Sequence, residues 1–287
     1  MTRIGTLLMA VCTILTVAAG AVVWADEGEE TSLGWKKELV GAFNLTQASF
    51  DNWAQGGEAT LGWQAGLNGT FTHVAPGHEW GNGMKLAYGM TKVGDDDARK
   101  SVDEIKLESV YTYKAGFFFD PYVAATAATQ FSKGYEYTDS DKTAISDFLD
   151  PGYFTQSAGV RRSYRDIVKT RLGAAIKETI TDKFQVPYAD DPGTDEIENT
   201  KTEVGAESVT DLNLKLSENL LFTSKLELFS NLEATNEVDI NWDNLLTAKI
   251  EEYLSVNLNV RIFYDRDIST SRQIKEALAI GLTYSFI

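Results

Sequence analysis

The chain has 287 residues, with 42 Asp+Glu against 26 Lys+Arg and a formal net charge of −16. That balance excludes a nucleic-acid partner, whose phosphates demand basic surface, and a hydrophobic content of 43% is too high for a disordered acidic chain. Two histidines and one cysteine leave few ligands for a zinc, haem or iron–sulfur centre, so the sequence implies no metal and no cofactor.

Arg3 precedes an uncharged, largely apolar stretch from Ile4 to Trp24. Val23 and Ala25 give a small-x-small pattern, and Asp26, Glu27, Glu29 and Glu30 follow at once. Residues 1–25 therefore read as a secretory signal cut after Ala25, with a short acidic segment over 26–34. Cys12 leaves with the signal, so the mature chain holds itself together without a disulfide. No later apolar run is long enough for a membrane helix, so a membrane crossing must use strands.

From residue 35 onward the pattern alternates with period two. The alternation predicts twelve strands: 35–47, 57–74, 79–93, 101–115, 117–133, 154–164, 167–180, 198–217, 220–233, 238–252, 253–266 and 272–287. In the second, Leu61, Trp63, Ala65, Leu67 and Phe71 share a face; in the fourth, Ile105, Leu107, Tyr111 and Tyr113 oppose Glu104, Lys106 and Glu108. Leu254, Val256, Leu258, Val260, Ile262 and Tyr264 alternate with mostly polar partners over eleven residues, and the last strand repeats the scheme.

The junctions alternate as well. Those after strands 2, 4, 6, 8 and 10 are short, whereas Gly134–Tyr153 and Thr181–Ile197 are long and polar. Long loops at one end and tight turns at the other, with many long strands, predict an all-β fold: a transmembrane antiparallel up-and-down β-barrel of about 12 strands, residues 35–287, in the bacterial outer membrane. An even strand count puts both chain ends in the periplasm. Gly281, Tyr284 and Phe286 resemble the aromatic C-terminal signal read by the barrel-assembly machinery, with Ile287 as one extra residue. A soluble β-sandwich or lipocalin-like barrel also alternates, but its polar face would be charge-rich throughout, and here that face carries many Ala, Gly, Ser, Thr and Asn.

Bare charges on the lipid face cost about 2–4 kcal/mol at the midplane for Arg or Lys, so the charged rows must face the lumen. Arg161, Lys169, Arg171 and Lys177 are expected inward, facing Glu203, Glu207 and Asp211 on the next strand, with Lys225, Glu227, Asp239, Asp243, Lys249 and Arg261 on later ones. Function then divides three ways. The first reading is a monomeric, narrow channel or uptake protein for small polar solutes, in contact with outer-membrane lipid. The second is a structural or binding barrel whose lumen is closed by salt bridges, and the third is a barrel-embedded lipid enzyme. The third is disfavoured, and no catalytic residue is assigned, because His73 and His78 flank Pro76 at the short-turn end, away from external substrates. The acidic loop clusters lack the spacing of a calcium loop.

Asn44 to Trp63 read NLTQASFDNWAQGGEATLGW. Asn52, Trp53, Gly56, Gly57 and Glu58 give an Asn-Trp-x-x-Gly-Gly-Glu pattern that resembles the signature of an uncharacterised outer-membrane barrel family, of the domain-of-unknown-function 3078 type. The resemblance implies fold and location and assigns no activity, ligand or catalytic residue. Read from the residues alone, the stretch is a turn at the long-loop end with an aromatic anchor.

Overall fold

The computed structural model describes residues 33–287 apart from 51–56, 139–140, 166, 191–192, 233–237 and 267. The signal reading and the motif residues Asn52, Trp53 and Gly56 lie outside the described residues, as does nearly all of the acidic segment. The first strands are β1 (Gly34–Ala48), β2 (Thr60–Val74), β3 (His78–Val93), β4 (Arg99–Tyr113) and β5 (Asp120–Thr129). A short hairpin follows, β6 (Gly134–Tyr137) and β7 (Lys142–Ser146), and then β8 (Gly152–Tyr164) and β9 (Val168–Ile180). The chain finishes with β10 (Thr200–Ser217), β11 (Leu220–Asn231), β12 (Val238–Lys249), β13 (Leu254–Tyr264) and β14 (Gln273–Ser285).

Twelve of these strands close an antiparallel barrel in the order β1-β14-β13-β12-β11-β10-β9-β8-β5-β4-β3-β2, and β6 and β7 form a separate two-stranded sheet. The twelve are the twelve expected from alternation. Two details differ. The fifth strand runs Asp120–Thr129 and not 117–133; it starts late because Gly116 takes the left-handed φ of 74° and the Asp120 carboxylate accepts the Ala115 N–H at 3.0 Å, closing a turn that holds Phe117–Phe119. The long loop before β8 contains the β6–β7 hairpin, whose strands of four and five residues are too short to stand out as a period.

Register decides which side each residue faces. Leu67 pairs with Gly41 and Leu86, and Leu228 pairs with Ser208 and Ile240, so the apolar rows of neighbouring strands merge into one outer surface. That surface is exposed: Leu278 at 66%, Leu282 at 58% and Leu172 at 57%. The buried residues include Arg171, Glu203 and Glu207 at 6%, 6% and 8%. The usual arrangement of a water-soluble core is inverted, with oil outside and charge inside.

The ring closes where β1 meets β14. Six register pairs run from Val40↔Ser285 to Leu45↔Ile280, against fifteen between β1 and β2. Backbone bonds between Leu39 and both Phe286 and Ile287 extend this seam at the chain ends. Asn44 pairs with Gly281, and its side chain lies over the glycine so closely that any Cβ there would collide with it. Phe286 covers Gly41 in the same way from the outside. The seam is thus built on two side chains folded over two glycines.

Gly281→Val should weaken closure by about 1–3 kcal/mol, as overpacking does, and lower the temperature at which the barrel loses its compact gel migration. Gly281→Ala combined with Asn44→Gly should recover most of that loss. A Gly281→Val barrel with wild-type heat resistance would show that the seam has slack.

Candidate functional site

Alternation puts Glu104, Lys106 and Glu108 of β4 on one inward row, and the structure makes that row the hub of the lumen. Lys106 Nζ lies 2.5 Å from Glu227 Oε1 on β11. Glu108 receives Lys225 of β11 at 2.6 Å and Arg171 of β9 at 2.7 Å. Glu104 receives Lys85 of β3 at 3.2 Å and Arg261 of β13 at 3.4 Å. Lys85 also reaches Asp243 of β12 at 2.8 Å, and Arg171 Nε meets Glu207 of β10 at 3.0 Å. Lys85, Lys106, Arg171, Lys225 and Arg261 supply five positive charges, and Glu104, Glu108, Glu207, Glu227 and Asp243 supply five negative ones. These ten charges balance, and Asp211, 3.7 Å from Lys225, has Lys169 as its register partner.

Neutral donors and acceptors complete it. The Ser157 hydroxyl donates to Glu207 at 2.9 Å, the Asn241 amide to Glu227 at 2.6 Å and the Asn259 amide to Asp243 at 2.6 Å. Arg261 Nε donates to the Asn241 carbonyl oxygen at 3.0 Å. Buried charges need such saturation, because each ion has given up its water.

These pairs set the cross-section. β4 and β11, β3 and β12, and β4 and β13 are each five places apart in a ring of twelve, where six is the maximum. Twelve strands about 4.8 Å apart and tilted by about 40° would make a round barrel roughly 24 Å across between backbones. A fully extended Lys–Glu pair bridges roughly 14 Å between Cα atoms. The β3–β4 wall must therefore lie close to the β11–β13 wall, and the barrel is oval.

A second group sits nearer the long loops. Lys177 Nζ is 2.7 Å from Asp239, 3.5 Å from Glu203 and 3.5 Å from Asp265, and Lys201 lies 3.6 Å from Glu203. The β9–β10 loop covers it. Asp150, itself buried, accepts the backbone N–H groups of Asp182 and Lys183 at 2.9 and 3.0 Å and holds the start of that loop down. Tyr188 then comes in beside Tyr153 and Lys177, and the space they leave is about 10 Å³. Burial, followed by the charge of Asp150, pushes the Tyr188 hydroxyl above its ordinary pKa.

Sequence and structure divide over particular residues. Lys177 and Glu203 are register partners, as are Lys169 and Asp211. Arg161 turns away from that row, to Glu79 at 3.1 Å and the Thr112 hydroxyl at 2.8 Å. Asp211 also lies 3.7 Å from Lys225. Glu104, Lys106 and Glu108 lie on the polar face that alternation gives the fourth strand, but neither they nor Lys85 are among the charges expected to meet in the lumen, where the structure makes them central. Gly57 has a φ of 143° with Phe50 packed against it, and Glu58 approaches Gly94. Tyr284 stacks on Tyr253 at 5.9 Å and meets Phe286 edge-on at 5.0 Å. His73 and His78 stack at 5.5 Å within an outward aromatic band that includes Trp35 and Tyr111. Among the described residues no cluster could hold a metal ion. An apolar groove of about 650 Å³ lies along the seam, walled by Phe43, Tyr253, Tyr284 and Phe286, and it is separate from the lattice.

Arg171→Ala takes the arginine from the buried Glu207 and leaves Glu108 to Lys225, and should cost about 3–5 kcal/mol of unfolding free energy in detergent. The more exposed Arg261→Ala should cost only about 0–1 kcal/mol. Equal losses in the two variants would mean that the lattice is wet throughout.

No curated protein matches the sequence. Among solved structures, the translocator domain of the autotransporter NalP from Neisseria meningitidis aligns at TM-score 0.41 and 10% identity, over 97% of this chain and 95% of that one. An outer membrane channel from Pseudomonas putida F1 aligns at TM-score 0.40 and 10% identity, over 92% and 100%. The CymD monoaromatic hydrocarbon channel aligns at 0.35 and 8%, over 90% of each chain. Likeness this loose carries no functional argument. Residues 45–135 match the family described as protein of unknown function DUF3078. Residues 133–286, just over half of the chain, match the family described as protein of unknown function, DUF481. By that match, the chain belongs to the DUF481 family.

Proposed function

We propose that the protein is an outer-membrane β-barrel with a narrow passage for small, polar, uncharged solutes. The outer location is supported by the exposed apolar surface, which water would not tolerate over a whole barrel. The passage is supported by an asymmetry in the lumen. Along β8 to β10 the inward row is buried or half-buried around Arg171 and Glu207. On β2 the inward Asn68 and Thr70 are exposed, although the wall stands behind them. The oval therefore has a filled end and an open end.

The open end is lined by Ala42, Gln64, Gly66, Asn68, Thr70 and Ala279, the inward row of β2 carries no charged residue from Thr60 to Val74, and the same row of β1 adds one exposed charge of each sign, Lys36 and Glu38, beside Thr72 and Thr70. A Cβ at Gly66 would meet only the Leu86 carbonyl, at 3.7 Å, so there is room beside it. Amides and hydroxyls on such a wall can exchange hydrogen bonds with a polar solute. The lattice charges are committed to each other, so they brace the wall and leave a passing ion little to bind. A closed structural barrel is the second reading, and the cross-lumen pairs favour it. We further propose that the protein has no enzymatic role, since both histidines belong to an outer aromatic band remote from the lattice.

Liposomes carrying the protein should swell in small neutral polyols, with little preference between K⁺ and Cl⁻ in planar bilayers. Gly66→Trp and Asn68→Trp should each cut the swelling rate by about half or more while leaving thermal stability unchanged. Absence of both swelling and conductance in the wild type would establish the closed barrel instead.

Sidedness can be read on intact cells, because residues 33–287 contain no cysteine. Thr194→Cys on the β9–β10 loop should react with an impermeant thiol reagent, and Ser217→Cys at the β10–β11 turn should not. The reverse pattern would invert the barrel.

A further inference from the structure

The lumen arginines Arg161, Arg171 and Arg261 each meet a carboxylate. Arg162 and Arg165 meet none among the described residues, in a chain with sixteen more acids than bases; Asp166 beside them lies outside the described residues. Both are exposed. Arg162 pairs with Thr170 in the row that also holds the exposed Val160 and Leu172, so it points away from the lumen. A guanidinium on that surface is tolerable only at headgroup depth.

The neighbouring β4–β5 turn supplies the other half of a site. Phe117, Phe118 and Phe119 are exposed at 80%, 67% and 49%. Three phenylalanines so bare belong in acyl chains, yet a turn in lipid must still satisfy its backbone. Arg162 does this. Its Nη1 donates to the Phe118 carbonyl at 2.6 Å, and its guanidinium lies 4.3 Å above the Phe118 ring. No other hydrogen bond of Arg162 is found among the described residues, which leaves most of its five N–H donors to face outward. Arg165, at the β8–β9 turn, lies 5.5 Å from the ring of Tyr164, an aromatic suited to the membrane boundary.

We propose that Arg162 and Arg165 bind the phosphate headgroup of an anionic glycerophospholipid, whose acyl chains lie over Phe117–Phe119. Guanidinium groups suit phosphate oxygens, and two positive charges three residues apart at one end of β8 select a lipid with net negative charge over a zwitterionic one. This rests on the reading that the barrel spans the outer membrane with its short turns on the phospholipid side.

Native mass spectrometry of the whole barrel released from detergent tests it, with phosphatidylglycerol and phosphatidylcholine offered in turn. The wild type should retain phosphatidylglycerol in preference. Arg162→Gln/Arg165→Gln should weaken that retention roughly tenfold, with unchanged heat-modifiable migration. Lys215→Gln/Lys249→Gln, which removes the same charge elsewhere at the same end, should not weaken it. Equal retention of the two lipids, or undiminished retention by the arginine double variant, overturns the proposal. If the arginine variant fails to fold, Phe118→Ala together with lipid selectivity of the wild type decides. Insertion of the wild type into phosphatidylcholine liposomes is measured separately. Failure there overturns the membrane reading as well, whereas insertion without phosphatidylglycerol retention overturns the lipid site alone.

Discussion

A strand has two faces, and in this barrel each meets a different surrounding. The outer rows hold Leu, Ile, Val and aromatic residues, and the inner rows hold Lys, Arg, Asp and Glu. A one-residue slip in any pairing would exchange the two. Charge on an inner row has no route to the outside, so it must be met by opposite charge within the lumen. The remaining features of the molecule follow from that requirement.

The lattice is better understood as a device for shape than as a source of stability. Bringing charges out of water costs several kcal/mol per ion, and a good partner returns little more than that. What the pairs do impose is distance. Lys106 with Glu227, and Lys85 with Asp243, can meet only if opposite walls approach one another. A hydrophobic filling of equal volume would tolerate sliding, whereas paired, hydrogen-bonded charges fix one arrangement of β3 and β4 against β11 to β13. Drawing two walls together leaves the uncharged inward row of β2, with Ala42 and Ala279 beside it, around the space that remains.

The outer surface shows the same division of labour. At the short-turn end an aromatic band runs through Trp35, His73, His78 and Tyr111, and Arg162 joins Phe118 further round. Rings with one wet edge and guanidinium groups over rings suit a boundary between oil and water. At the other end the loops are polar, and Asp150 folds the β9–β10 loop down over the Lys177 group. The two ends of the barrel are chemically distinct.

The strands were legible in the sequence because a β-strand records its surroundings every second residue. Leu254 to Tyr264 states one oily and one polar face without help from any other segment, and all twelve barrel strands follow from such local evidence. Short elements did not: β6 and β7 are too brief to show a period, and the start of β5 depended on the conformation of Gly116. Sequence also sorted charges to the lumen side, since Lys106 and Glu108 alternate with Leu107 as plainly as Arg171 alternates with Leu172. It could not say which charges meet. Arg161 chose Glu79 over the neighbouring acidic row, and Glu108 gathered cations from β9 and β11. Local alternation determines which face a residue takes, because that depends only on the strand itself. Partners across the lumen depend on where the ring closes and how far it flattens, and only the tertiary structure sets those.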